Sequence, residues 1–437
     1  MNFDLLFKEA KARGIEDIQI YLVKDSEFEL EVLKGELDKY TIATTQKLSV
    51  KGIYDSKMGI VETEVINDDM IDFIIESIIA SAKTVNSEDE VFIYEGDKEY
   101  KEVKGLYNPE LSEINAKTKI ESVFDIEKRV MSKDKRIRMV QAFYGDGTIN
   151  VLIQNSKGLK LEKLVNNGMM GVNVIASDGK DQRTAFEYIQ SNDYSDFDLE
   201  KIAALGVKKA VALLGAEPCE SGKYEVLLSN EASASLLSPH LMMFSAEMVQ
   251  RNMSLLKGKV GEIVSDSKIS IVDDPFMKKS TRSGAFDDEG VATSYKELIK
   301  EGILTGYLHN LKTAKKDNIK STGNGFLSGI SPTNFYIKPG HLKYDEAVKS
   351  MKKGLIITDL AGTHAGANPI SGDFSLQASG FLVEDGKIVR PVALITVAGN
   401  YLDMLKDVTG VCDDLKFNFR YIGSPSIRIK SLVVSGK

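Results

Sequence analysis

Four histidines (His240, His309, His341 and His364) and two cysteines (Cys219 and Cys412) make up the imidazole and thiol supply of this 437-residue chain. A zinc peptidase helix carries two histidines a turn apart with a glutamate beside them as general base. No H-E-x-x-H or H-E-x-x-x-H occurs here. His240 lies in a helical stretch with Glu247 seven residues on, roughly the same face at 3.6 residues per turn. The pair could supply two metal ligands, but so incomplete a set reads as a helix-surface histidine beside an unrelated acid. Cys412 precedes Asp413-Asp414 with no activating histidine in the local sequence, so a packed thiol is expected rather than a nucleophile. No G-x-S-x-G elbow is present. The acidic runs Asp273-Asp274, Asp287-Asp288-Glu289 and Asp413-Asp414 could hold hard cations or serve acid–base chemistry. Turns and exposed loops are the simpler reading, and Asp274-Pro275 favours a turn. Residues 362–375 form a polar, Gly-rich stretch between apolar runs at 355–357 and 380–383. Such a stretch is either a ligand-binding loop, with His364, Asn368 and Asp373 as its candidates, or a strand crossover.

The elements that would position these residues follow from periodicity. Phe3, Leu6, Phe7 and Ala10 mark an amphipathic helix that Gly14 closes. Alternating runs at 18–22, 28–32 and 48–50 read as an antiparallel meander with turns between them. Ile71, Ile74, Ile75, Ile78, Ile79 and Ala82 form one helical stripe, with Asn67 or Asp68 as its cap. Residues 86–110 read as an acidic connection and 111–133 as a charged helix. Short strands follow, punctuated at Gly145-Asp146-Gly147, 155–158, Asn166-Asn167-Gly168 and 177–180. A helix over 198–214 ends at Gly215. Glu217–Gly222 is the boundary, which divides the chain into 1–216 and 222–437. Beyond it come a strand at 224–228, a long helix capped by Asn230 and reaching about Leu256, and a Gly- and strand-rich remainder with a helix at 344–352. The fold class is α+β in two domains, an antiparallel sheet with packed helices and then a β-rich domain with a long helix.

Lys plus Arg total 56 against 64 Asp plus Glu, a formal charge of −8. With no basic stripe, nucleic acid is not an expected partner. The apolar stretches are too short or too charged for a membrane span. There is no signal sequence at the start, and two cysteines are few for a secreted scaffold, so the chain reads as cytoplasmic. Neither a solenoid repeat nor a nucleotide-binding glycine signature appears.

In the second half, Ile271–Pro275, Phe286–Val291, Gly302–Leu308, Ser321–Gly325, Pro332–Asn334, Asn368–Ser375, Ala378–Phe381 and Val397–Leu405 follow in order. This series resembles the TldD/PmbA family, metallopeptidases also named as modulators of DNA gyrase. The resemblance implies a two-domain subunit with a β-rich, barrel-like C-terminal domain, dimerised around an enclosed chamber. In the TldD branch a helix carries H-E-x-x-x-H and a cysteine near the C-terminus completes a zinc site. The PmbA branch, also called TldE, lacks those histidines. Here Ser238 and Met243 fall at the histidine positions and Pro239 at the glutamate, and none of the three can replace an imidazole or a general base. The resemblance therefore implies a PmbA/TldE-like subunit that needs no cofactor of its own. It would act on small or unfolded peptides with a TldD-type partner that holds zinc. Two alternatives stand beside it. One is a self-sufficient homodimer whose altered metal site uses Cys412 with His240 or His364. The other is a non-catalytic peptide-binding scaffold. Nothing in the sequence marks a gyrase-binding residue.

Overall fold

The computed structural model describes residues 1–86 and 90–437. Helix α1 (Phe3–Ala12) starts at Asn2, whose side chain accepts the Leu5 N–H, and it buries Leu6 and Ala10. Strands β1 (Ile18–Leu33) and β2 (Glu36–Tyr54) form one long antiparallel ribbon. The runs at 18–22 and 28–32, read as separate strands, are therefore one strand, and 48–50 is a short piece of the next. β3 (Lys57–Thr63) extends the sheet, and helix α2 (Ile71–Thr84) buries the predicted isoleucine stripe. Neither Asn67 nor Asp68 caps α2. A 3-10 turn at Asp68–Met70 leads into it, and Asp68 instead accepts the Asn2 N–H at 2.6 Å.

The connection at 86–110 is irregular from 90 to 108, and its positions 87–89 lie outside the described residues. The predicted charged helix is two, α3 (Pro109–Glu113) and α4 (Ala116–Lys133), the second capped by Asn115 on the Thr118 N–H. Strands β4 (Ile137–Asn155), β5 (Lys160–Ser177) and β6 (Gln182–Ser191) and helix α5 (Leu199–Ala212) follow. The six strands make a single sheet in the order β3-β2-β1-β4-β5-β6. Even-numbered β1 residues pack against α1 and α2 at one end (Ile20, Leu22) and against α4 and α5 at the other (Leu30, Val32). Successive strand side chains alternate faces, so all four helices cover the same face. The opposite face carries Val151 and Ile153, which pack on Phe286 from the second half of the chain.

Two predicted turns are not turns. Gly145-Asp146-Gly147 and Asn166-Asn167-Gly168 lie inside β4 and β5. Glycine is needed there for close approach: a Cβ at Gly147 would sit 2.9 Å from the Ser26 carbonyl oxygen on the neighbouring strand. The turns at 155–158 and 177–180 are as expected.

In the second half, β7 (Gly222–Leu228) pairs with Lys353–Ala361 on one side and Ile427–Ser435 on the other. Asp373–Glu384 and Lys387–Asn400 continue the sheet, and Thr396–Ala398 pairs with Val433–Ser435. That last pairing closes the five strands into a barrel. A second sheet of short strands is built from 271–273, 296–300, 303–304, 335–337, 416–417 and 422–424. Helix α6 (Asn230–His240) packs between this sheet and the barrel. The predicted long helix ends at His240, because Pro239 lies within its last turn and supplies no N–H. A 3-10 turn at Leu241–Phe244 and a short helix at Ala246–Gln250 follow. The cap is Ser229, one residue before the predicted Asn230. Among the described residues no helix is long and apolar enough to cross a membrane.

The acidic runs expected at exposed turns are partly buried instead. Asp273 is fully buried, taking the Thr333 N–H and hydroxyl on one oxygen and Asn324 and Lys296 on the other. Asp287 accepts the N–H groups of Glu289, Val291 and Gly325. The Tyr21 hydroxyl donates to Asp288 at 2.7 Å, which joins this loop to the first sheet. Truncating Asp273 to Ala strands four donors, Lys296 among them. The loss of stability should be about 3–5 kcal/mol, read as a lowered urea midpoint. Burial first, and the Glu289 charge second, push the Asp287 carboxyl up to about 7. A folded-state value above the unfolded one means that the native state holds the proton. This contribution is full below about pH 4 and is lost as pH rises through about 7. The stability advantage of the wild type over Asp287→Asn should therefore shrink between about pH 4 and pH 7, as thermal melts across that range would show.

Candidate functional site

A cavity of about 960 Å³ opens between the two halves of the chain. That is at the upper end for ligand pockets, which run from roughly 300 to 1,000 Å³. It is lined from the first half by β6 and α5, and from the second by the start of α6, the barrel strands near 358–361, 377–381 and 393–394, and the segment 414–419. The lining includes every residue of β6 from Gln182 to Tyr188. Neighbouring strand residues point to opposite faces, so a cavity touching all of them runs along the strand's edge. β6 is the last strand of its sheet and has one neighbour, β5. Its outer row of backbone N–H and C=O groups is therefore presented to the cavity, as on any sheet edge.

Four charges form a closed network at this seam. Lys209 of α5 lies 2.7 Å from Glu187 of β6 and 2.6 Å from Glu231 of α6. Lys416 lies 2.5 Å from Glu231 and 3.5 Å from Glu187. Burial alone would raise the Glu231 carboxyl, but Lys209 and Lys416 beside it carry it below the ordinary range. Burial would likewise lower the Lys209 ammonium, and the two glutamates raise it above its usual value. Glu231 and Lys209 therefore both keep their charges. Asn230, the expected helix cap, instead donates to the Asp414 carbonyl at 2.9 Å, and Asp414 also accepts from Ser426.

The residues singled out from the sequence fall elsewhere. His240 is fully buried rather than on a helix surface. Its ring stacks on Tyr401 with centroids 4.2 Å apart, and Nδ1 lies 2.7 Å from the Leu236 carbonyl. Burial keeps its pKa below the ordinary histidine value. Glu247 is exposed on the next helix and pairs with Arg251, so the two do not form a ligand pair. Met243 is buried in the core, and Ser238 and Pro239 are half-buried at the end of α6. Cys412 is fully buried among Leu227, Met351, Ile356 and Val383. Burial, then Asp414 and Asp413, push its thiol up to about 12.

His364 is exposed on the short helix Thr363–Gly366. The Asn368 side chain holds its own turn by accepting from Ile370 and Ser371. Asp373 accepts from Asn400 at 3.0 Å and is held below the usual carboxylate range by Asn400 and Ser371. The loop 362–375 stops short of the cavity, which its neighbours Ala361 and Gln377 do line. Among the described residues no group of three or more His, Cys, Asp or Glu side chains is placed to hold a metal ion. The seam network escapes sequence reading because its members come from four separate segments. Only the edge position of β6 offered a signal, and that needs the strand order.

An α+β half joined to a closed β-barrel half is a fold that this chain shares with solved proteins. Residues 109–214 match the PmbA/TldA metallopeptidase central domain and 221–436 the C-terminal domain, and the chain belongs to this PmbA/TldD family. A Thermotoga maritima protein described as a candidate modulator of a DNA gyrase is 36% identical, with TM-score 0.93 over 99% of both chains. The metalloprotease PmbA of Escherichia coli O157:H7 is 29% identical over 71% of this chain and 68% of its own. TldE from Thermococcus kodakarensis shares the fold, with TM-score 0.91 at 24% identity over 99% of this chain and 100% of its own.

Both cysteines are free and buried. Burial raises Cys219 as it does Cys412. A thiol reagent at pH 8 should therefore label neither in the native protein and both once the chain is unfolded in urea. Rapid native labelling of Cys412 would show an accessible thiolate that this packing does not allow.

Proposed function

We propose that this chain is the PmbA/TldE-type subunit of a cytoplasmic metallopeptidase assembly, with 1–216 and 222–437 as its domains. In this reading it holds extended peptide, while a TldD-type partner supplies zinc and the attacking water. The observation that carries it is the state of α6. Ser238, Pro239 and Met243 stand where the family resemblance places the donors, and they offer a hydroxyl, no donor and a thioether. The two nearest substitutes are committed elsewhere, since His240 is stacked in the core and Cys412 is a high-pKa thiol among aliphatic side chains. These residues do not fit a zinc centre, so no chemical step is assigned to them.

What the chain does offer is the free edge of β6 along the cavity. An extended peptide that adds to a sheet edge is held by backbone hydrogen bonds, which tolerate varied sequences and suit small or unfolded peptides. Closure of the barrel pairs 354–357 and 396–398 on both sides, whereas β6 has one neighbour along its whole length, so the peptide strand belongs on β6.

The test is elemental mass spectrometry on the chain purified alone, with peptidase assays with and without a TldD-type relative from the same cell. We expect close to zero zinc per chain, no cleavage by the chain alone, and cleavage once the partner is added. One zinc per chain, or chelator-sensitive cleavage without a partner, would replace this reading with the self-sufficient homodimer.

A further inference from the structure

Leu394 lines the seam cavity with its backbone at φ +54°, in the left-handed region, and it is 63% exposed. A side chain with a Cβ is disfavoured there, and leucine normally regains such a cost through burial. Here it does not. The strain arises at a bulge: Ala378 pairs with Ile395 and Gly380 with Val392, which leaves Ala393 and Leu394 opposite Ser379 alone. Bulges of this kind re-aim a side chain, and unrepaid strain is concentrated at binding sites. Two more large apolar side chains stand exposed in the same cavity, Phe419 at 51% and Phe186 at 39%. Phe186 belongs to the free edge strand and is steadied by stacking on Phe143 at 5.7 Å.

The charges nearby do not call for a charged ligand. Four basic side chains (Arg183, Lys208, Lys209 and Lys416) and four acidic ones (Glu187, Glu231, Asp359 and Asp414) line the cavity, so its charge is balanced, and Glu187, Glu231, Lys209 and Lys416 neutralise one another directly.

We infer that the cavity selects extended peptides by an uncharged apolar side chain, of the Leu, Ile, Met or Phe class, seated against Leu394, Phe419 and Phe186. This inference rests on the peptide-holding reading and adds side-chain selectivity to it. A strand laid on β6 would send alternate side chains to each face, so one apolar residue is read while its neighbours are not.

The experiment is fluorescence anisotropy with two labelled ten-residue peptides of equal charge. One has a central Leu-Phe and the other Ser-Gln in its place. They are tested on the full chain, alone and in its assembly, for the wild type, Leu394→Asn and Phe419→Ser. Asparagine tolerates the left-handed region, so Leu394→Asn should keep or raise the melting temperature while it removes the apolar contact. The wild type should bind the Leu-Phe peptide about tenfold more tightly than the other. Each variant should bring the two affinities to within about twofold of each other. Equal binding of both peptides by the wild type would overturn the selectivity while leaving strand addition in place. A gap that survives Leu394→Asn, with a fall in melting temperature, would make Leu394 a structural residue and overturn the inference. Binding of neither peptide would overturn both the inference and the peptide-holding reading.

Discussion

The square of Glu187, Lys209, Glu231 and Lys416 decides what the seam between the two halves can be. Two oppositely charged pairs, drawn from a strand, two helices and a C-terminal segment, satisfy one another only when all four elements are in place. Removing any one would leave two like charges, partly desolvated, sharing a single counterion, which is costly. The square therefore fixes the start of α6 against the end of the first sheet, in the wall of the cavity beside β6. On the far side, the Tyr21–Asp288 bond and the Phe286 cluster supply the firm contact that the open side lacks.

Helices with one apolar stripe were legible in the sequence. Leu6 with Ala10, and Ile71 through Ile78, each meet one sheet face, so their period is uninterrupted. The long strands were not legible, because Gly145, Gly147 and Gly168 carry the residue type of turns yet lie inside strands, Gly147 as a point of close approach to the neighbouring strand. The helix expected to reach Leu256 was misjudged for a reason visible in the sequence, Pro239, whose missing N–H weakens the last turn of α6. Asp273 and Asp287 misled in the opposite way. Carboxylates are usually wet, and only the irregular loops around Thr333, Asn324 and Val291, with their unpaired N–H groups, make burial favourable. The family was readable from motifs spread along the second half. The cavity was not, since its walls come from seven separate stretches.

α6 joins the barrel to the second sheet: Ser229 caps it, Leu236 and Leu237 enter the core, and Ser233 bonds Ser424 at 2.7 Å across to that sheet. The helix serves here as a strut between barrel and sheet, and His240 packs its ring on Tyr401.

The barrel's topology also bears on how the protein is made. The strand Ile427–Ser435 is the last of the five to be synthesised, yet it pairs with β7, the first. Until it emerges from the ribosome, β7 and the strand at Lys387–Asn400 each present an open edge. β1 likewise waits for β4, beyond the whole of α2 to α4, before its second side is covered. Each half thus spends part of its synthesis with unpaired strands, a state prone to association with other chains. Trigger-type chaperones, which shield nascent apolar segments, should matter more for the yield of this protein than for a helical bundle of the same length.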